Sequence, residues 1–178
     1  MLAKWMRLGA VALGLAAFAA APATAKVEGD TIYLGAAISL TGKYTANGEH
    51  TQRGYDLAVQ MINDAGGVTV DGKDYQLAII YYDDESTPAR GAQLAERLIN
   101  QDGVDYMLGP YSSGLTEAMA PVTEQYGIPM VEANGASISL FGNGYRYLFA
   151  VLSTTEQYLA SAVALAGELA EREGRDPA

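Results

Sequence analysis

Three groups of side chains have the types and spacing to do chemistry. Ser112 and Ser113 follow Gly109-Pro110-Tyr111 and precede Gly114. Upstream, the apolar run Val104 to Leu108 reads as a short buried strand, and downstream Leu115 opens an amphipathic helix. A strand that hands two hydroxyls to a helix start makes an anion pocket. The first helical N–H groups lack internal partners, the helix dipole favours negative charge, and hydroxyls add adjustable donors. A plain N-cap by Ser112 or Ser113 is the simpler reading of these residues alone. Asp83-Asp84-Glu85 at the end of a second strand has the carboxylate density of a hard-cation or phospho-acceptor pocket. A solvated loop capping the helix that begins near Pro88 explains it more simply. His50 is the only histidine, and the serine loop is not the G-x-S-x-G turn of a nucleophilic serine. No catalytic residue, cofactor or metal ligand is assigned.

Composition narrows the classes further. The 178 residues suit one domain better than two. The absence of cysteine excludes disulfides, thiolate metal sites and a lipid-modified cysteine anchor. A formal charge of −10 without clustered Lys or Arg argues against nucleic acid and anionic membranes as partners. Residues 1–25 have the pattern of a secretory signal peptide. Lys4 and Arg7 precede the apolar stretch Leu8 to Ala21, and Ala23-Thr24-Ala25 is a small-x-small cleavage site. The apolar stretch is short for a membrane span. Cleavage there leaves 9 Lys+Arg against 21 Asp+Glu, an exported and acidic chain.

The elements that must position these groups follow from periodicity. Thr31 to Leu40 and Tyr75 to Tyr82 are near-continuous apolar runs, as in strands of a parallel sheet buried on both faces. Val68 to Asp74 reads as a small turn or short hairpin with Asp71-Gly72 at its tip. Helices are expected over Asn47 to Ala65, Ala89 to Asn100 and Leu115 to Tyr126. In the first, Gly54, Ala58, Met61, Ile62 and Ala65 are the expected sheet-facing stripe. Gly127 to Ala133 gives a fourth strand and Tyr145 to Leu152 a fifth. Ser153 to Glu156 forms an S-x-x-E capping box for a final long helix. Strand–helix alternation at about 30–35 residues per unit implies an α/β fold, an open parallel sheet with helices on both faces. Ligands then meet the rim at the carboxyl ends of the strands. Four exit loops share that rim: Ser39 to Tyr44, Asp83 to Thr87, Gly109 to Gly114 and Asn134 to Ser137. Their Ser, Thr, Gly and Asn content suits binding rather than catalysis.

The ordered set GAAISLTGKYTANGE (Gly35 to Glu49), INDAGGV (Ile62 to Val68), YYDDESTPARGAQLAERLI (Tyr81 to Ile99), GPYSSGLTEAMAPV (Gly109 to Val122), GIPMVEANGAS (Gly127 to Ser137) and YRYLFAVLSTTEQYLA (Tyr145 to Ala160) resembles the type I periplasmic substrate-binding proteins of branched-chain amino-acid transporters. The resemblance implies a non-enzymatic, monomeric protein that captures an amino acid, of branched-chain type first, and presents it to the permease of an ABC transporter from the periplasm. A ligand-sensing extracellular domain is the alternative. It implies two lobes joined by a hinge, with residues 26–150 forming the N-terminal lobe. Residues 151–178 would be the hinge crossover and first helix of a second, truncated lobe. Members run to roughly twice this length or more, so the chain reads as an N-terminal fragment or a truncated gene product. By the resemblance, Ser113 binds the ligand carboxylate, with Ser112 the near alternative and Tyr111 beside them. The Gly135 carbonyl takes the ammonium, and Ser137, or Ala136 through its N–H, contacts the head group. The first exit loop covers the ligand side chain, with Tyr44 or Asn47 as the candidates, and Phe149 to Thr154 resembles the first hinge crossover.

Overall fold

The computed structural model describes residues 27–175, so the signal-peptide segment lies outside the described residues. The chain runs β1 (Val27–Glu28), β2 (Thr31–Ile38), α1 (Thr45–Asp64), β3 (Val68–Val70), β4 (Lys73–Asp83), α2 (Pro88–Asn100), β5 (Met107–Leu108), α3 (Ser113–Tyr126), β6 (Met130–Glu132), a 3-10 turn (Ile138–Gly142), β7 (Leu148–Ala150), α4 (Thr155–Tyr158) and α5 (Ala160–Arg172). The sheet order is β3-β4-β2-β5-β6-β7, with β1 antiparallel beside β2. Pairs β2–β4, β2–β5, β5–β6 and β6–β7 are parallel, and the β3–β4 hairpin is antiparallel. Its turn is Asp71-Gly72, both at positive φ (51° and 79°), the two-residue geometry that matches strand twist.

The strand order reverses at β2: the chain steps from β2 to β4 on one side, then returns to β5 on the other. Right-handed crossovers therefore place α1 on one face of the sheet and α2 and α3 on the other. The core lies on the α2–α3 face, where Leu94, Leu98, Met107, Met119 and Met130 pack with Ala37. No α1 residue belongs to that cluster.

Helix α1 is turned differently from the sequence expectation. Its Leu57 and Met61 are 57% and 64% exposed, and Gly54, Ala58, Ile62 and Ala65 are also exposed. The sheet-facing stripe is instead Gly48, Thr51, Tyr55, Val59 and Asn63. Polar anchors set this phase. The Asn63 carboxamide donates to Leu77 O at 2.9 Å and accepts from Leu77 N at 2.8 Å, standing in for a neighbouring strand on β4. The Tyr55 hydroxyl donates to Gly109 O at 2.7 Å, and the Tyr81 hydroxyl donates to Asp56 at 2.8 Å. Hydrogen bonds at the middle and the C-terminal end of the helix outweigh a weak apolar stripe, because leaving such groups unpaired on burial costs about 1–3 kcal/mol each.

The chain's end also departs from expectation. Thr154 and Gln157 form the capping box, not Ser153 and Glu156, and the helix divides into α4 and α5 at Leu159. Neither helix has a buried residue.

Gly48 fixes the approach of α1 to the rim. A Cβ there would lie 1.8 Å from the Ser39 carbonyl oxygen, a backbone atom with no room to retreat. Gly48→Ala is therefore expected to lower unfolding free energy by about 2–3 kcal/mol, the cost of forced overpacking, as read by urea denaturation. An unchanged midpoint would show that α1 can shift.

Candidate functional site

The rim at the carboxyl ends of β2, β4, β5 and β6 is built by two carboxylate networks. The first joins the loops after β2 and β4. Asp83 Oδ1 accepts from the N–H groups of Leu40 (3.0 Å), Thr41 (3.1 Å) and Glu85 (2.9 Å), and Oδ2 accepts from the Thr41 hydroxyl at 2.7 Å. Asp84 Oδ1 accepts from the Ser39 hydroxyl at 2.7 Å and Ser86 N–H at 2.8 Å. The Ser86 hydroxyl donates to Thr41 O at 2.6 Å and accepts from Tyr44 N–H at 3.0 Å. This corrects the expectation of a solvated acidic loop: Asp84 is fully buried and both aspartates face the neighbouring loop. Burial pushes the Asp83 carboxyl up, but the Thr41 hydroxyl and three N–H donors outweigh it and hold its pKa below the ordinary value. Burial dominates at Asp84, whose pKa is raised. Among the described residues no cluster of three or more His, Cys, Asp or Glu could hold a metal.

The second network is centred on Glu132, the last residue of β6 and fully buried. Its Oε1 accepts from the N–H groups of Asn134 and Gly135, and its Oε2 accepts from the Thr116 hydroxyl at 2.6 Å. The carboxylate thereby bends the β6 exit loop over itself and ties it to α3. Space for it comes from two glycines. A Cβ on Gly109 would lie 2.3 Å from Glu132 Oε2, and one on Gly135 would lie 2.8 Å from Thr116 Oγ1. Burial raises the Glu132 pKa, and the Thr116 hydroxyl and loop N–H groups only partly offset it. Tyr55 sits alongside, its own pKa raised by burial and then by the Glu132 charge.

The serine loop lies between these networks. Ser112 is the N-cap of α3, its Oγ accepting from Leu115 N–H at 3.4 Å. Its φ of 81° is a conformation that costs a non-glycine residue about 1–3 kcal/mol. The Ser112 carbonyl accepts from Thr116 N–H at 3.1 Å, the bond that closes the first turn of α3 and helps to hold that conformation. Ser113 is the first residue of α3, two positions earlier than the expected helix start. Its Oγ accepts from Ser137 N–H at 3.0 Å. Ser113 and Ser137, on separate loops, are thus in direct contact, with half-buried Ala136 and buried Gly135 in the same turn. No histidine or carboxylate is hydrogen-bonded to Ser113 among the described residues, and His50 Nδ1 is engaged by Arg53 at 2.9 Å.

Tyr44 and Tyr111 meet edge to face, ring centroids 5.3 Å apart. Asn47 and Tyr111 line a groove of about 510 Å³ with His50, Thr51, Tyr55 and Asn134. Tyr111 thus links the side-chain residues of the first loop to the serine loop. Sequence reasoning missed Glu132, Thr116 and Tyr55. A glutamate closing the apolar strand Met130-Val131, two residues before Asn134-Gly135, was the available signal, because a buried carboxylate there needs local N–H donors.

A test separates the charge of Glu132 from its shape. A raised folded pKa means that its contribution is fully present below the ordinary carboxylate range and is lost as pH rises through the folded value. Glu132→Gln keeps an acceptor and removes the titration. Its unfolding free energy should therefore gain on the wild type as pH rises through that value, in urea titrations at several pH values. Glu132→Ala should cost about 2–4 kcal/mol throughout, through lost packing and two unpaired N–H groups. A pH-independent difference for Glu132→Gln would show that the carboxylate is not desolvated.

Residues 31–176 match the family described as periplasmic binding protein. The leucine-, isoleucine-, valine-, threonine-, and alanine-binding protein of Pseudomonas aeruginosa is 28% identical over 138 residues, 78% of this chain and 35% of its own length. Leu/Ile/Val-binding protein homolog 8 of Brucella suis is 32% identical over 168 residues, 94% of this chain and 39% of its own. Among solved structures, the branched-chain amino acid transporter substrate binding protein LivJ from Streptococcus pneumoniae, in complex with isoleucine, superposes with a TM-score of 0.63. It shares 29% identity and covers 75% of this chain and 39% of its own. The chain thus spans less than half the length of these relatives. With a family match over nearly all its described residues, the chain belongs to the periplasmic binding protein family.

Proposed function

We propose that this chain is the ligand-binding N-terminal lobe of an exported solute-binding protein that captures an α-amino acid and delivers it to the permease of an ABC transporter. The relatives named for leucine, isoleucine and valine put branched-chain amino acids first among the candidates. The observation that carries the reading is the Ser113–Ser137 contact between the loops after β5 and β6. Because Ser113 Oγ already accepts one N–H, its own proton is left to donate outward. It sits at the first turn of α3, where backbone N–H groups and the helix dipole favour a carboxylate. Charge-assisted bonds of this kind are roughly twice as strong as neutral ones. The adjoining turn at Gly135 offers a carbonyl for the ammonium, and Ser137, or Ala136 through its N–H, completes the head-group contacts. Ser112 shapes the loop as a cap, and Tyr44, Tyr111 and Asn47 flank the ligand side chain.

Residues 149–154 act as the first hinge crossover. Val151 N–H donates to Glu132 O and Thr155 N–H to Ala136 O, so the departing chain is tethered to the head-group loop. Beyond it, α4 and α5 hold no buried residue, which supports reading 151–178 as the start of a second lobe. Ligand would shift the open–closed balance only through tighter binding to the closed form. Among the described residues no helix is long and apolar enough to cross a membrane.

In the complete protein, Ser113→Ala should weaken amino-acid binding by about 1–3 kcal/mol, by isothermal titration calorimetry. Unchanged affinity would place the carboxylate elsewhere.

A further inference from the structure

We propose that Glu132 is a positioning residue for the ligand ammonium, and that a proton on it weakens amino-acid capture on acidification. This rests on the amino-acid reading above and adds to it a residue and a form of regulation. Glu132 Oε1 draws the N–H groups of Asn134 and Gly135 inward. The described residues hold no cis peptide bond, and in a trans peptide the carbonyl points opposite to the N–H. The carbonyls of Ala133 and Asn134, which share those peptide groups, are therefore turned away from the buried carboxylate. Both residues line the groove beside the head-group loops. Neither carbonyl accepts a hydrogen bond among the described residues. Two free acceptors beside the Gly135 carbonyl, polarised by an anion behind them, suit an ammonium.

A proton on Glu132 has a built-in partner. The Thr116 hydroxyl carries one proton and has two acceptors in reach, Glu132 Oε2 at 2.6 Å and Ser112 O at 3.0 Å. With Glu132 ionised, that proton turns to Oε2. With Glu132 protonated on Oε2, the acid donates to Thr116 Oγ, and the Thr116 proton turns to Ser112 O. Both states are hydrogen-bonded, so the acid changes charge without unpairing a group. The change is felt at the β6 exit. Bonds from the loop N–H groups to a neutral acid are roughly half as strong as those to a carboxylate, and the anion behind the two carbonyls is gone. Tyr55 is the titratable group that faces Glu132 from α1, and burial and the Glu132 charge keep it protonated. From α3, β5, β7 and the 3-10 turn come Thr116, Gly109, Ala150 and Leu140, none of which titrates. Asp83 and Asp84 stand at the end of β4, beyond β5 and β2 in the sheet. Burial raises the Glu132 pKa, and the ammonium favours the ionised form. Affinity therefore rises as pH climbs through the folded value, the opposite sign to the contribution of Glu132 to stability.

The test is calorimetric titration of the complete protein, freed of co-purifying ligand, over a pH series from mildly acidic to neutral. Leucine is the first probe, and the remaining amino acids follow where it gives no heat. Affinity should fall on acidification by up to about tenfold per pH unit, the slope of one linked proton. Binding should also release protons, read by repeating the titration in buffers of different ionisation enthalpy. Glu132→Gln, which mimics the neutral acid, should give a flat profile at the affinity the wild type shows in acid. Thr116→Val removes a donor that favours the charged form, so its midpoint should move to higher pH; this variant keeps the test open should Glu132→Gln fail to fold. His50→Gln, which alters the ionisable side chain in the neighbouring groove, should leave the midpoint in place. A flat wild-type profile, or a midpoint that moves with His50 and not with Thr116, would overturn the proposal while leaving the amino-acid reading intact. No binding by any amino acid at any pH would instead overturn the head-group reading, and the role of Glu132 with it.

Discussion

A buried carboxylate must be met by donors, and at Glu132 that requirement organises the rim. Its oxygens draw in two successive loop N–H groups and a helix hydroxyl, so the β6 exit cannot wander. Gly109 and Gly135 are needed because any Cβ at either position would collide with the Glu132–Thr116 cluster. Tyr55 joins from the opposite face, its hydroxyl on Gly109 O, so α1 is tied to the same cluster. Partly satisfied networks of this kind are worse than an apolar core, which makes the whole set interdependent.

The Asp83–Asp84 network does the same work on the other side of the switch point. It joins the loops after β2 and β4 so that Tyr44 is held where its ring meets Tyr111. The molecule thus divides its labour between the ends of the strands. The α2–α3 face is packed by Leu, Met and Ala side chains, which give stability without directional demands. The carboxyl ends are fixed by charged and hydroxyl groups, which give position. A binding site for a small zwitterion needs the second kind, since donors and acceptors must stand at set distances before the ligand arrives.

Much of this was legible in the sequence, for identifiable reasons. The runs at Thr31 to Leu40 and Tyr75 to Tyr82 read as strands, and Asp71-Gly72 as the tip of a small turn or short hairpin. These are local signals, and both strands and the hairpin form, although β4 is only half-buried where burial on both faces was expected. The contact between Ser113 and Ser137 was foreshadowed by family resemblance, which placed both at one head group; no periodicity would have joined residues 24 apart. The phase of α1 was misread because its apolar stripe was taken as decisive, whereas Tyr55 and Asn63 find long-range partners that a sequence does not display. The inward turn of Asp83 and Asp84 was missed for the same reason, since the donors that draw them to the β2 exit loop lie more than 40 residues away. The capping box slipped by one residue because Ser153 and Thr154 offer equivalent hydroxyls, and only the backbone chooses between them.

The central claim is that the loops after β5 and β6 form the anchor for an amino-acid head group. Thermal unfolding of the complete protein against a panel of amino acids, each paired with its decarboxylated amine, tests this most directly. At a hundred times its dissociation constant a true ligand adds about 2.7 kcal/mol of stability. The account predicts a raised melting temperature with the amino acid and none with the amine, which lacks the carboxylate that the proposal assigns to Ser113. Equal stabilisation by both, or by neither across the panel, would contradict it.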